Sequence, residues 1–170
     1  MQRALRLHQE MTDRVVFMRQ FLKHPHQVAS IIPSSRFLER RIIELAEVRS
    51  AHTVVELGAG TGGTTRAILG AIPPAATLLS IEINPQFCGL LGRIADARLT
   101  VHRGSAQELR ETLSRYGLPA PEVVISGIPF STMGRIAGSR ILEAISSVLA
   151  ADGSFVAYQV RRRVALPRCS

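Results

Sequence analysis

Two features of the 170-residue chain have the residue types of a small-molecule site. The first is Glu56-Leu57-Gly58-Ala59-Gly60-Thr61-Gly62-Gly63, a glycine-rich turn that follows the apolar run Thr53–Leu57. Glycine tolerates positive φ and lets a ligand approach the main chain, and the N–H groups that open the next helix point at whatever sits there. The second is Glu82, twenty positions beyond Gly62 at the end of another apolar run. A carboxylate in that place accepts hydrogen bonds from two ribose hydroxyls. The pair predicts a nucleotide-like ligand held by backbone on one side and by an acid on the other. No metal is expected, because His24 and His26 have no third ligand nearby in the sequence. Cys88 and Cys169 are the only cysteines, so no disulfide framework is implied, and Cys88 is expected to pack as a small hydrophobe.

The elements that must position these residues alternate along the chain. Apolar strand patterns occur at 53–57, 77–83, 99–103, 122–126 and 154–160, separated by helical patterns at 64–71, 84–95, 106–116 and 135–149. The expectation is an α/β fold with a Rossmann-like sheet of at least five parallel strands and helices at its N-terminus. Residues 1–50 are read as a helical segment packed on or beside a core spanning 51–170, the whole forming one structural domain. Ligands of open α/β sheets bind at the carboxyl ends of the strands. That rule brings Gly104-Ser105-Ala106, after strand three, and Ser126-Gly127-Ile128-Pro129-Phe130, at the end of strand four, beside the glycine turn.

The net charge of +8 and pI near 11.1 point to a polyanion, either nucleic acid or an anionic membrane surface. Residues 2–23 carry apolar residues at helical spacing with arginines interspersed, a pattern that serves either to lie in a membrane interface or to cover a sheet. No apolar run is long enough to span a bilayer, and charge interrupts the N-terminus too often for a signal peptide. A cytoplasmic protein with at most peripheral membrane contact is expected. Ser34 and Ser35 are candidate N-caps, with Glu39 placed to complete a capping box. The tail 161–170 reads as a solvated basic end.

The run Glu56-Leu57-Gly58-Ala59-Gly60-Thr61-Gly62 resembles the E-x-G-x-G-x-G motif of class I S-adenosylmethionine-dependent methyltransferases, and Glu82 resembles that family's acid after the second strand. A fainter match through Gly58, Gly60 and Gly63 would suit NAD. The segments Ile31 to Arg36, Ile81 to Cys88 and Ser126 to Phe130 further resemble bacterial phospholipid N-methyltransferases. Ribosomal RNA adenine dimethyltransferases are similar in the donor motifs and in Ile83-Asn84-Pro85. They place Asn in the N-L-P-Y motif where this chain has the stretch Ser126-Gly127-Ile128-Pro129-Phe130, which lacks the side-chain amide that orients an adenine amine.

The resemblance implies S-adenosyl-L-methionine as cofactor, held by Glu56, Gly58, Ala59, Gly60, Thr61, Gly62, Glu82, Ile83, Gly104, Ser105, Ala106 and Ser126. Ser105 stands where many such enzymes have an Asp toward the adenine amine. Pro129 and Phe130, with Ile128, would wall the transfer site, and Tyr158 is a candidate proton acceptor or cation-facing ring. The implied acceptor is a lipid amine of the phosphatidylethanolamine type, with the basic N-terminal helix on an anionic membrane. The alternatives are an RNA methyltransferase and an inactive membrane-associated remnant. The antiparallel strand pair that usually closes the class I fold is expected to be absent.

Overall fold

The computed structural model describes residues 35–158. The expectations for residues 2–23, for His24, His26 and Ser34, and for the chain beyond Tyr158 lie outside them. The described chain begins with α1 (Ser35–Ala46) and a short 3-10 turn (Val48–Ser50). It then alternates β1 (Thr53–Leu57), α2 (Gly63–Leu69), β2 (Thr77–Glu82), α3 (Pro85–Leu91) and β3 (Leu99–Arg103). A 3-10 turn (Ala106–Glu108) leads into α4 (Leu109–Arg115), followed by β4 (Val123–Ser126), α5 (Arg135–Val148) and β5 (Ser154–Ala157). The helix expected over 106–116 is thus split, its first turn being tighter than α.

All four strand pairings are parallel, in the order β3-β2-β1-β4-β5. Helices cover both faces of such a sheet, so β1, β4 and most of β2 are buried throughout and are mostly apolar, with Glu56, Ser80, Glu82 and Ser126 among the buried polar exceptions. After β1 the chain steps outward to β2 and β3, then returns to the other side of β1 for β4 and β5. The loops on either side of that reversal splay apart and leave a crevice at the carboxyl ends of β1 and β4.

Successive side chains of a strand point to opposite faces, and this period of two sorts the core. Val55, Leu57, Leu79, Ile81 and Val124 pack with Leu109 and Leu113 of α4 and Ile141, Leu142 and Ile145 of α5. Val54, Leu78, Val123 and Ile125 pack with Ile42 and Ile43 of α1 and Ile68 and Leu69 of α2. Glu56, lying between Val55 and Leu57, therefore belongs to the α1/α2 face.

α3 starts where the sequence directs it. Asn84 is the N-cap, its side chain accepting from the Gln86 N–H at 2.9 Å, and Pro85 at the first helical position sacrifices no hydrogen bond. Glu39 lies against the start of α2, where a Cβ on Gly63 would fall 2.7 Å from its Oε1; the serine caps expected beside it lie outside the described side chains.

Candidate active site

The glycine turn after β1 is built from left-handed backbone. Gly58, Gly60 and Gly62 have φ of +73°, +56° and +84°, a region costly for residues with a Cβ. The turn is tied to the sheet by the Gly58 N–H donating to the Ile81 carbonyl at 2.8 Å. A Cβ on Gly58 would also come within 3.0 Å of Ile128 Cγ1, so glycine there keeps the space between the β1 and β4 loops open.

A cavity of about 420 Å³ occupies this space, within the ~300–1,000 Å³ usual for small-molecule sites. Gly58 and Gly60 line it on the β1 side, Glu82, Ile83 and Phe87 on the β2 side, and Gly104 to Gln107 after β3. Gly127, Ile128, Pro129, Met133 and Ile141 close it from β4 and α5. Glu82 is only 6% exposed. Its Oε2 accepts from the Gly60 N–H and its Oε1 from the Asn84 N–H, each at 2.9 Å. These bonds fix the carboxylate at the cavity lip, and each oxygen keeps a further lone pair for a hydroxyl donor. Beside it Ile83 is 72% exposed, an apolar surface held open at the mouth.

The remaining expected residues divide by face. Ile83, Gly104, Ser105, Ala106 and Pro129 line the cavity with Gly58, Gly60 and Glu82. Ser105 also caps the following turn, its Oγ accepting from the Gln107 N–H at 3.2 Å. Ala59, Thr61, Gly62 and Ser126 do not line the cavity. Ala59 and Gly62 are buried within the turn, and Thr61 is exposed. Ser126 is fully buried and its Oγ accepts from the Ile128 N–H at 3.3 Å, holding the β4 turn.

Three more of the expected wall and donor residues do not line the cavity. Phe130 is 6% exposed and joins the α4/α5 core, because the turn at Pro129 folds it under the wall that Ile128 and Pro129 form. Tyr158 packs with the α1/α2 cluster, behind Gly127, and is not among the residues that line the cavity. Its hydroxyl pairs with Thr64 Oγ1 at 2.9 Å and lies 2.7 Å from where a Cβ on Gly127 would sit, so glycine at 127 is what admits the ring. Burial, foremost, pushes this phenol up to about 12, leaving it neutral near pH 7.

Glu56 lies beneath the glycine turn, fully buried. Its Oε2 accepts from Thr65 Oγ1 and from Ser80 Oγ, each at 2.7 Å, while Oε1 has no hydrogen-bond partner among the described residues. Burial raises its pKa to about 7; the two hydroxyl bonds oppose the shift and the Glu82 charge adds to it. Glu56 thus braces β1, β2 and α2 and does not line the cavity. Cys88 is half-buried and its Sγ donates to the Glu82 carbonyl at 3.3 Å, so it supports the strand end that carries the acid.

Phe87, Gln107, Met133 and Ile141 were not assigned a role from sequence. Phe87 and Gln107 each stand in the first turn after a strand whose end was already assigned to the site, a positional signal that would have found them. Met133 and Ile141 reach the cavity only through the packing of α5. Among the described residues no helix is long and apolar enough to cross a membrane.

The cavity meets the needs of the donor suggested by the motif. Positive-φ glycines let a ligand lie against backbone, a fixed carboxylate presents two acceptors to a vicinal diol, and Ile83 and Phe87 offer apolar walls to a flat ring. No protein-family model matches the chain. It is 33% identical over 147 residues to an ornithine lipid N-methyltransferase of Singulisphaera acidiphila, a match covering 85% of this chain and 77% of that protein. It is 39% identical over 97 residues to the ribosomal RNA small subunit methyltransferase A of Maricaulis maris, but that match covers 55% of this chain and only 32% of the relative. Among solved structures, the O-methyltransferase TomG of Streptomyces achromogenes in complex with SAM shares the fold with a TM-score of 0.54 at 18% identity, over 76% of this chain and 58% of that one. Motif, fold and the near full-length relative agree that the chain belongs to the class I S-adenosylmethionine-dependent methyltransferases, in the family of the ornithine lipid N-methyltransferase.

Proposed function

We propose that this protein transfers methyl groups from S-adenosylmethionine to the amine of a membrane lipid. The observation that carries this reading is the reach of the match to the ornithine lipid N-methyltransferase. It extends over 85% of the chain, whereas the Maricaulis maris ribosomal RNA enzyme matches 55%. The β4 turn fits the same reading, since Gly127, which lines the cavity ahead of Ile128 and Pro129, stands where the N-L-P-Y motif of the RNA enzymes has its amide-bearing Asn.

In this reading Gly58 and Gly60 take the methionine end of the donor, on a turn shaped by Ala59, Thr61 and Gly62 and braced by Glu56. Glu82 takes the ribose, and Ile83, Phe87, Ser105, Ala106 and Gln107 surround the adenine. When bound, the donor supplies an electrophilic methyl group on a sulfonium, so the protein's task is mainly positioning and exclusion of water. An alkylammonium becomes a nucleophile only after losing its proton, and an apolar wall disfavours the charged form. Ile128, Pro129 and Met133 supply such a wall. Residues 2–23 would rest on the anionic membrane from which the acceptor comes.

The test offers purified protein labelled methyl donor with anionic liposomes containing phosphatidylethanolamine or an ornithine lipid, and in parallel with ribosomal RNA. Label in lipid is expected. Label in RNA alone would refute the lipid reading, and transfer to neither acceptor by a folded protein would favour the inactive one.

A further inference from the structure

The cavity opens among the loops at the carboxyl edge of the sheet, and the surface of that edge is distinctive. The most exposed large apolar side chains among the described residues are Ile136 at 73%, Ile83 at 72% and Phe37 at 59%, and all sit there. Ile83 directly follows β2, Ile136 is in the first turn of α5, and Phe37 is in the first turn of α1, which runs antiparallel to β1. Arg36 and Arg135 adjoin Phe37 and Ile136, and Arg103 ends β3 on the same edge; all three arginines are exposed. The opposite edge mixes its charges: Glu47, Glu122 and Asp152 stand there with Arg49 and Arg115, Glu44 is paired with Arg40 and Arg41, and Arg98 is paired with Asp96 at 2.7 Å. Its most exposed large apolar side chain among the described residues is Leu45, at 54%.

Single exposed apolar residues are ordinary. Several on the one edge of the sheet where the cavity opens, interleaved with arginines, match a surface that enters a lipid interface, with apolar tips at the acyl boundary and guanidinium groups on phosphates. We infer that this edge is a docking surface for an anionic phospholipid bilayer, which seats the cavity mouth on the membrane so that a lipid amine enters without crossing water. The inference rests on the lipid-amine reading above. It concerns the folded core, apart from the contact expected of residues 2–23.

An environment-sensitive dye on the full chain tests it, attached through Ile136→Cys or, at the opposite edge, Asp152→Cys, each with Cys88→Ser and Cys169→Ser. The vesicles are phosphatidylglycerol with phosphatidylcholine, free of any methylatable amine. A blue shift is expected from position 136 with these vesicles, none from 152, and none with phosphatidylcholine alone. Arg135→Glu should weaken vesicle partitioning by about fivefold or more. Equal shifts at both positions would overturn the inference, as would a dye at 136 that stays in water on vesicle-bound protein. So would a dye at 136 already shielded without vesicles, since residues 1–34 would then cover that edge. Methyl transfer is scored separately: a dye response with no methylated lipid supports docking and sinks the lipid-methylation reading instead.

Discussion

Replacing Glu82 by Gln is the sharpest probe of the donor site. The substitution keeps size and shape, but one carboxylate oxygen becomes an NH2 group. In the native structure each oxygen accepts one backbone N–H, from Gly60 and from Asn84, and has one lone pair left. The amide must therefore turn its NH2 toward one of those N–H groups, which loses its acceptor. It also offers a ribose diol one accepting oxygen in place of two. A hydrogen bond to a charged acceptor contributes about 1.5–3 kcal/mol, so losing the ribose half should weaken donor affinity about ten- to 150-fold. The backbone half falls on stability, by about 1–3 kcal/mol for the unpaired N–H, and less where water reaches the cavity lip. Calorimetric titration with S-adenosylmethionine or its demethylated product measures the first effect, and urea unfolding of the ligand-free protein the second. At saturating donor, kcat should change little, because the contact serves binding in ground and transition states alike. An affinity within twofold of wild type, together with lost stability, would refute the ribose role and leave Glu82 as a clamp on its two loops.

Three further outcomes follow from the same geometry. Gly58→Ala and Gly62→Ala should each lose about 1–2 kcal/mol from left-handed backbone. Only Gly58→Ala should also impair donor binding, since its Cβ would press on Ile128 at the cavity while that of Gly62 meets Leu91, Arg66 and Ile94; equal binding losses would contradict this division. Glu56 binds its proton more tightly folded than unfolded, so its contribution is present in full below the unfolded value near 4.5 and is lost as pH rises through about 7. The loss amounts to about 3 kcal/mol, and urea unfolding across pH 5–8 should show a downward slope that Glu56→Gln removes; an unchanged slope in that variant would sink the assignment. Tyr158→Phe removes the bond to Thr64 at 2.9 Å and should cost about 1 kcal/mol of stability. Its turnover on a lipid acceptor should stay within about threefold, and a hundredfold fall would return the ring to a direct role in transfer.

The alternation of strands and helices, the glycine turn and the acid at the end of β2 are all legible in the linear chain. Each of these is a local signal. Buried parallel strands must be mostly apolar runs, left-handed backbone calls for glycine at Gly58, Gly60 and Gly62, and Glu82 sits at a fixed distance along one βαβ unit. Tertiary structure decided which side chains reach the cavity. Glu56 and Tyr158 are near the site in sequence pattern, yet the two-residue period of β1 and the packing of β5 turn both toward α1 and α2. Phe130 is one residue from the cavity wall but tucks under it. Phe87, Gln107, Met133 and Ile141 come from separate elements that only the order β3-β2-β1-β4-β5 brings around one crevice. A linear pattern fixes the period of an element and the shape of a turn. The face that borders a ligand depends on which helices the crossovers lay over the sheet, and that is settled by packing between residues far apart in the chain.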